Sequence, residues 1–273
     1  MFRESSTYSN AIGVFDSGIG GLTVMKQMIT VMPNENMIYF GDTARVPYGE
    51  KSPETIIRYS IENAIFLMEY NIKVLVVACN TASAYALVKL QHLFKIPVVG
   101  VIESGVDKAV AVTRNQRIAV LGTKGTIKSN VYQQEIKRRL PNALVQGIAC
   151  PLFVPLVEER FVSHPATKIL VKEYLAPFKD QGIDTILLGC THYPLLRQVI
   201  QDELGSGVEI VDSASTCAEK VSAILTEQRL HNQNSCEAIH RYFVSDDAEK
   251  FRLAGSEFLG SPIPHVGCHT FHK

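Results

Sequence analysis

The strongest constraint on the fold is an internal echo. Residues 71–81, NIKVLVVACNT, read against residues 182–192, GIDTILLGCTH. In each segment an isoleucine stands seven residues before a cysteine, a run of strand-forming residues lies between, and a small residue precedes the cysteine. Cys79 and Cys190 are 111 residues apart. Weaker echoes flank them. Residues 12–17 match 118–123 as a strand, then Asp or Gly, then a hydroxyl, and 97–104 faintly match 209–213. Self-similarity of this kind predicts two similar units related by a pseudo-two-fold axis.

Short β-branched runs at 11–15, 37–40, 74–78, 98–101, 118–121, 185–188 and 208–211 predict strands. Apolar runs without alternation fit strands buried on both faces of a parallel sheet. Between them, Leu22, Met25 and Ile29 share one helical face and Ile57, Ile61, Ile65 and Met68 another. Leu196, Val199, Ile200 and Leu204 follow Pro194, which suits a first helical turn, and Cys217, Val221, Ile224 and Leu225 repeat the pattern. Strands feeding into helices give parallel βαβ units. The expected fold class is α/β: two similar domains, each a mainly parallel sheet flanked by helices, with a cleft between them. No low-complexity linker marks the boundary, which is expected near 103–111, after a strand at 96–102.

Composition removes several function classes. The 273 residues carry 27 basic and 27 acidic side chains, for a formal net charge of zero. That is not the footprint of a nucleic-acid binder, and no nucleic-acid partner is expected. No stretch nears the ~18 apolar residues of a membrane span. The polar N-terminus MFRESSTYSN lacks the apolar segment of a secretory signal. A cytoplasmic location without a membrane partner is therefore expected. The cysteines at 79, 150, 190, 217, 236 and 268 form no C-x-x-C pair, which excludes a zinc ribbon or thioredoxin motif.

Cys79 and Cys190 each follow a predicted strand and precede a helix. In parallel sheets, ligands bind beyond the carboxyl ends of the strands. A thiol at a helix N-terminus is expected to have a lowered pKa. One strand-end cysteine is more often packing than chemistry. Two at equivalent positions would face each other across a cleft. Two chemistries then stand open: a redox disulfide, or proton transfer in which one thiolate takes a proton from one face of a carbon and the opposite thiol returns one to the other.

Residues 16–21, DSGIGG, resemble a dinucleotide phosphate loop, and the strand ending at Asp42 adds to that likeness, but Thr23 stands at the third glycine position. Alternatively the glycines expose backbone N–H groups to a carboxylate. Asp16 then assists a thiol or binds an ammonium group, although Asp16 and Ser17 also fit helix capping. Residues 41–49, GDTARVPYG, read as a shaped loop around Tyr48. Residues 150–159 are an apolar stretch ending in Glu158 and Glu159; such acids are commonly just solvated. The tail's His265, Cys268, His269 and His272 match no standard zinc spacing, so no metal site is expected.

Taken together, IGVFDSGIGGLTV, YFGDTARVPYG, VLVVACNTASA, IPVVGVIE, CPLFVPLVE and LLGCTHYP resemble the glutamate racemases of the aspartate/glutamate racemase family, in order, over residues 11 to 260. The resemblance implies an isomerase without cofactor that interconverts L- and D-glutamate for peptidoglycan precursors. It implies that the C-terminal segment returns to the first domain, giving 1–103 plus 212–273 and 104–211. It assigns Cys79 and Cys190 as the proton-transferring pair, Cys79 on the D-glutamate face and Cys190 on the L face. Asp16 supports the first, His192 and Glu158 the second. By the same resemblance Asp16, Ser17, Tyr48, Gly49, Asn80, Thr81, Thr123, Thr191 and His192 would hold the substrate. A homodimer is in keeping with the family. The first ten residues and the His/Cys tail fall outside the pattern. The competing readings are a racemase of aspartate or a hydantoin with the same thiols, a nucleotide-dependent oxidoreductase using the glycine loop, and a glutamate-binding protein without catalysis. A PLP enzyme would need a Schiff-base lysine, and none is identifiable.

Overall fold

The computed structural model of the chain describes residues 10–233 and 237–271. Its strands are β1 (Ile12–Asp16), β2 (Met37–Gly41), β3 (Val74–Val77), β4 (Val98–Gly100), β5 (Arg117–Gly122), β6 (Leu144–Ala149), β7 (Thr185–Gly189), β8 (Glu209–Asp212), β9 (His240–Val244) and β10 (Gly267–Cys268). Its helices are α1 (Leu22–Val31), α2 (Pro53–Met68), α3 (Asn80–Leu93), α4 (Val101–Val112), α5 (Lys124–Ser129), α6 (Val131–Arg139), α7 (Phe153–Glu158), α8 (Pro165–Leu175), α9 (Arg197–Leu204), α10 (Ser213–Glu227) and α11 (Ala248–Leu259). Among these residues no helix is long and apolar enough to cross a membrane.

The strands form two parallel sheets. One has the order β10-β9-β2-β1-β3-β4 and the other β6-β5-β7-β8. The order β2-β1-β3-β4 therefore recurs as β6-β5-β7-β8. The register recurs too: Ile12 pairs with Val74 and Val14 with Val76, as Ile118 pairs with Thr185 and Val120 with Leu187. This is the echo made physical, with β3 equivalent to β7 and β4 to β8. The continuous apolar runs are buried on both faces, as expected for parallel strands.

On one face of the first sheet, Phe15, Phe40, Leu75 and Val77 pack against Ile56 and Leu67 of α2 and Ala86 and Leu90 of α3. On the other face, Ile12, Val14 and Val76 meet Leu22, Met25 and Met28 of α1, and Cys217 and Val221 of α10 belong to the same cluster. That cluster runs on into the second sheet through Ile186, Leu188 and Phe153. Each fully buried Leu, Ile or Phe contributes roughly 2 kcal/mol relative to exposure.

Two expectations change, the strand at 96–102 and the buried face of α2. The 103–111 boundary lies inside α4, and the run to Ile102 is a three-residue strand followed directly by that helix. There Ile102, Val106 and Ala109 pack on Ile118, Val120 and Leu187, so the chain crosses to the second sheet without a linker. In α2 the buried positions are Ile56, Ser60, Asn63, Ala64, Phe66 and Leu67, and Ile65 is 52% exposed. The true face is offset because Ser60 and Asn63, polar by type, turn inward and hydrogen bond to Ile56 O and the Tyr48 hydroxyl.

Candidate active site

The carboxyl ends of β1 and β3 in one sheet and of β5 and β7 in the other border a cavity of about 390 Å³. Ser17, Tyr48, Gly49, Cys79, Asn80, Thr81, Thr123, Glu158, Cys190, Thr191 and His192 all line it. Of the residues expected in the site, Asp16 alone is not in the wall. It lies fully buried at the end of β1, where its Oδ2 accepts the Gly18 N–H at 3.0 Å and its Oδ1 has no protein partner.

Cys79 ends the run from β3 and caps α3, with an extended backbone at the turn. Its sulfur accepts the Ala82 N–H at 3.5 Å and lies 3.7 Å from Ser17 Oγ. Cys190 follows β7, but a short 3-10 turn (Tyr193–Leu196) intervenes before α9. Its sulfur is 4.0 Å from His192 Nδ1, and His192 Nε2 meets Glu158 Oε1 at 2.9 Å. Both thiols are free.

The electrostatics reverse one expectation. Burial pushes the Cys79 thiol up to about 12, and the nearby Asp16 charge acts in the same direction. Burial likewise raises the Cys190 thiol, against the His192 backbone N–H that favours thiolate. A lowered pKa was expected from the strand-end position. The desolvation of a buried anion outweighs a helix terminus, whose effect is usually below ~1 kcal/mol. Burial also raises the Asp16 carboxyl, opposed by the His192 charge and by the N–H groups of Gly18, Gly21 and Ser17. For Glu158 burial disfavours ionisation, but the hydrogen bond and charge of His192 prevail and hold its carboxyl below the usual range.

The polar wall is built on cross-sheet contacts. Thr81 Oγ1 lies 2.9 Å from Thr123 Oγ1 and 3.1 Å from Thr126 Oγ1. Thr123 in turn caps α5 through the Thr126 N–H. Asn80 Oδ1 accepts the Tyr132 hydroxyl at 2.5 Å, while its buried Nδ2 has no protein partner. Thr23 Oγ1 donates to the Thr191 carbonyl at 3.0 Å. The glycines of the 16–21 loop serve this approach. A Cβ at Gly20 would collide with Thr191 and His192, and one at Gly21 with Asp16 and Tyr39. Asp42 is equally committed. It accepts Arg45 Nε at 2.8 Å, the Ser245 hydroxyl at 2.9 Å and the Tyr48 hydroxyl. The two features that suggested a dinucleotide are thus occupied by the protein itself. Tyr48 donates its hydroxyl hydrogen bond to Asp42 and has no O–H donor left for a ligand.

Several wall residues escaped the sequence reading. Val46, Pro47, Pro151, Val154 and Pro155 form apolar surface, and Lys124 and Glu50 meet at 3.1 Å across the mouth. The prolines lie within motifs already singled out. Lys124 carries no local signal, because its role follows from where α5 is placed. In the tail, His269 packs on the Phe66 ring, and among the described residues no group of three His, Cys, Asp or Glu side chains is poised for a metal. His272, Cys236 and the first nine residues lie outside the described residues.

Paired thiols from two duplicated sheets, backed by a carboxylate on one side and an imidazole on the other, can exchange protons with both faces of one carbon. Comparisons with known proteins give a consistent family for the chain. The family model described as Asp/Glu/Hydantoin racemase matches residues 12–221. A glutamate racemase of Geobacter metallireducens is 52% identical over 94% of this chain and 95% of its own. The solved glutamate racemase isoform RacE1 of Bacillus anthracis superposes with a TM-score of 0.93 at 40% identity, covering 96% of this chain and 98% of that one. The solved glutamate racemase of Francisella tularensis, in complex with D-glutamate, gives a TM-score of 0.91 at 39% identity, with 96% and 98% covered. The motifs, the duplicated sheets and their match over nearly the whole length have one consequence: the chain belongs to the Asp/Glu/hydantoin racemase family.

Proposed function

We propose that this protein interconverts L- and D-glutamate by two-base proton transfer between Cys190 and Cys79, and that it supplies D-glutamate for peptidoglycan synthesis in the cytoplasm. The observation that carries the reading is the pair of free thiols at equivalent strand ends of two sheets, both lining one cavity. The names of the relatives support glutamate as the substrate. In this reading the sheets belong to two lobes, 1–103 with 212–273 and 104–211.

The substrate brings two carboxylates and one ammonium. The hydroxyls of Ser17, Thr81, Thr123 and Thr191, the unpaired Asn80 Nδ2 and the first N–H groups of α3 suit the carboxylates. Asp16, buried behind the wall, attracts the ammonium through its charge without touching it, and that cation eases ionisation of the Cys79 thiol. From L-glutamate, His192 takes the Cys190 proton while Glu158 stabilises the imidazolium. The Cys190 thiolate removes the Cα proton, and the Cys79 thiol delivers its own proton to the other face. Cys79 is left as thiolate, ready to act on D-glutamate. The hard step is loss of a weakly acidic Cα proton. Donors fixed on the α-carboxylate in a water-poor cleft are the main help.

The test is incubation with L-glutamate in deuterated water without added cofactor, following circular dichroism and Cα deuteration together. Loss of optical activity with deuterium at Cα is expected. Exchange with aspartate and not glutamate would keep the mechanism and overturn the substrate. Silence with every amino acid would leave a binding role.

A further inference from the structure

The cavity loop 46–50 is tied to the far C-terminus through one guanidinium. Arg45 Nε meets Asp42 at 2.9 and 2.8 Å, and its Nη2 donates to Asn63 Oδ1 at 3.0 Å. Asp42, fully buried at the end of β2, accepts the Tyr48 hydroxyl, and Asn63 Nδ2 donates to the same hydroxyl at 3.1 Å. Tyr48 sits in the cavity wall together with Val46, Pro47 and Gly49. The guanidinium carbon lies 4.0 Å from the centre of the Tyr59 ring and 4.2 Å from that of Phe271. Phe271 reaches that place because β10 pairs in parallel with β9 at the edge of the first sheet, and the His269 N–H continues the pairing to Val244 O at 2.8 Å. Its ring also packs on Phe40 and His269.

This chain of contacts has a direction. A buried carboxylate needs its cation, and a cation held between rings has fewer orientations in which to serve it. A planar guanidinium fits both tasks, whereas an ammonium meets neither the paired carboxylate contact nor the stacking. We propose that the C-terminal tail is a positioning element for catalysis: Phe271 fixes Arg45, Arg45 fixes Asp42, and Asp42 fixes Tyr48 and the substrate-facing loop 46–50. Arg45 and Phe271 are positioning residues, since neither lines the cavity. The inference rests on the racemase reading for its kinetic consequence but not for its structural one.

The test pairs a substrate-free measurement with kinetics on the full chain. Phe271→Leu keeps an apolar side chain and removes the π face, Phe271→Tyr restores the face, and Arg45→Lys keeps the charge without the fork. Hydrogen exchange by mass spectrometry reads the backbone of 42–50 in each. Phe271→Leu and Arg45→Lys are expected to speed exchange there about tenfold and to raise KM for L-glutamate by a similar factor with kcat little changed. Phe271→Tyr should return both to wild type. Unchanged exchange across 42–50, or faster exchange without a rise in KM, overturns the proposal, as does a fall in kcat at constant KM, which would signal lost folded protein. If the wild-type protein does not racemise glutamate, the functional reading fails on that result alone, and the exchange data still decide whether the tail holds the loop.

Discussion

The ends of β3 and β7 occupy the same place in two sheets of the same order, yet they carry different machinery. After β3 the chain turns at once into a regular 14-residue helix, with Cys79 at its cap and Asp16 buried beneath. After β7 it passes through a 3-10 turn, and Cys190 has an imidazole beside it that is tethered to Glu158. The difference begins at single positions. Asp16 ends β1 where Gly122 ends β5, and Asn80-Thr81 stands where the second copy has Thr191-His192. One side therefore surrounds its thiol with a fixed carboxylate in a dry place. The other sets beside its thiol an imidazole whose partner Glu158 reaches solvent. A duplicated scaffold supplies matching positions, and substitution at a few of them makes the two faces of a cleft chemically distinct.

The bluntest way to break this comparison is to remove a thiol. Cys79→Ser and Cys190→Ser should each lower racemisation by about 10³-fold, the scale of a positioned acid–base group. Full racemisation by either variant would sink the two-base scheme. Replacing the supporting groups sharpens it. Asp16→Asn and His192→Asn should each lower kcat by about 10²-fold. Enantiomers are equal in energy, so kcat/KM must fall equally in both directions and cannot reveal the side affected. The primary isotope effect of Cα-deuterated substrate can. It should grow from the D side in Asp16→Asn and from the L side in His192→Asn, and identical isotope effects in the two variants would erase the asymmetry. Glu158→Gln should cost only about tenfold, because the Glu158 side chain is 41% exposed and its pairing with His192 is screened by water.

The smallest effects are in pH. Burial places the Cys79 thiol at about 12 without substrate, so its alkylation by iodoacetamide should climb with pH between ~7 and ~10 without a plateau. A plateau near neutrality would show a pre-formed thiolate. Both cavity thiols, Cys79 and Cys190, are raised above their unfolded value of ~8.5. Their share of stability is therefore fully present below that pH and is lost as pH rises towards the folded values. The melting temperature should decline above pH ~8.5, and the Cys79→Ser, Cys190→Ser double variant should show a shallower decline. Cys150 and Cys217, raised by burial to about 12, and the buried tyrosines Tyr39, Tyr48 and Tyr193, raised above their usual range, contribute to the remainder.

The strands of both sheet centres were legible because burial on both faces demands continuous apolar runs. The edge strands β4 and β8 were legible too, but β6, β9 and β10 were not. β6 is half exposed and interrupted by Gln146-Gly147, β9 alternates, and β10 has only two residues. The α2 face was misread because Ser60 and Asn63 are buried by hydrogen bonds that a hydrophobic pattern cannot register.

What the sequence determined by itself was local and repeated: two strand–cysteine–hydroxyl units, glycines where the backbone must pass close, and the hydroxyl and amide residues that line the cavity. Each depends on neighbours a few positions apart, so the pattern survives in one dimension. The tertiary structure alone decided that Asp16 lies under the wall and not in it, that both thiols are held protonated, that Asp42 takes the Tyr48 hydroxyl's hydrogen bond, and that Phe271 caps Arg45. Desolvation depends on every atom packed around a group, and ion–ring contacts join residues more than two hundred positions apart. Neither quantity is written in the spacing of any motif.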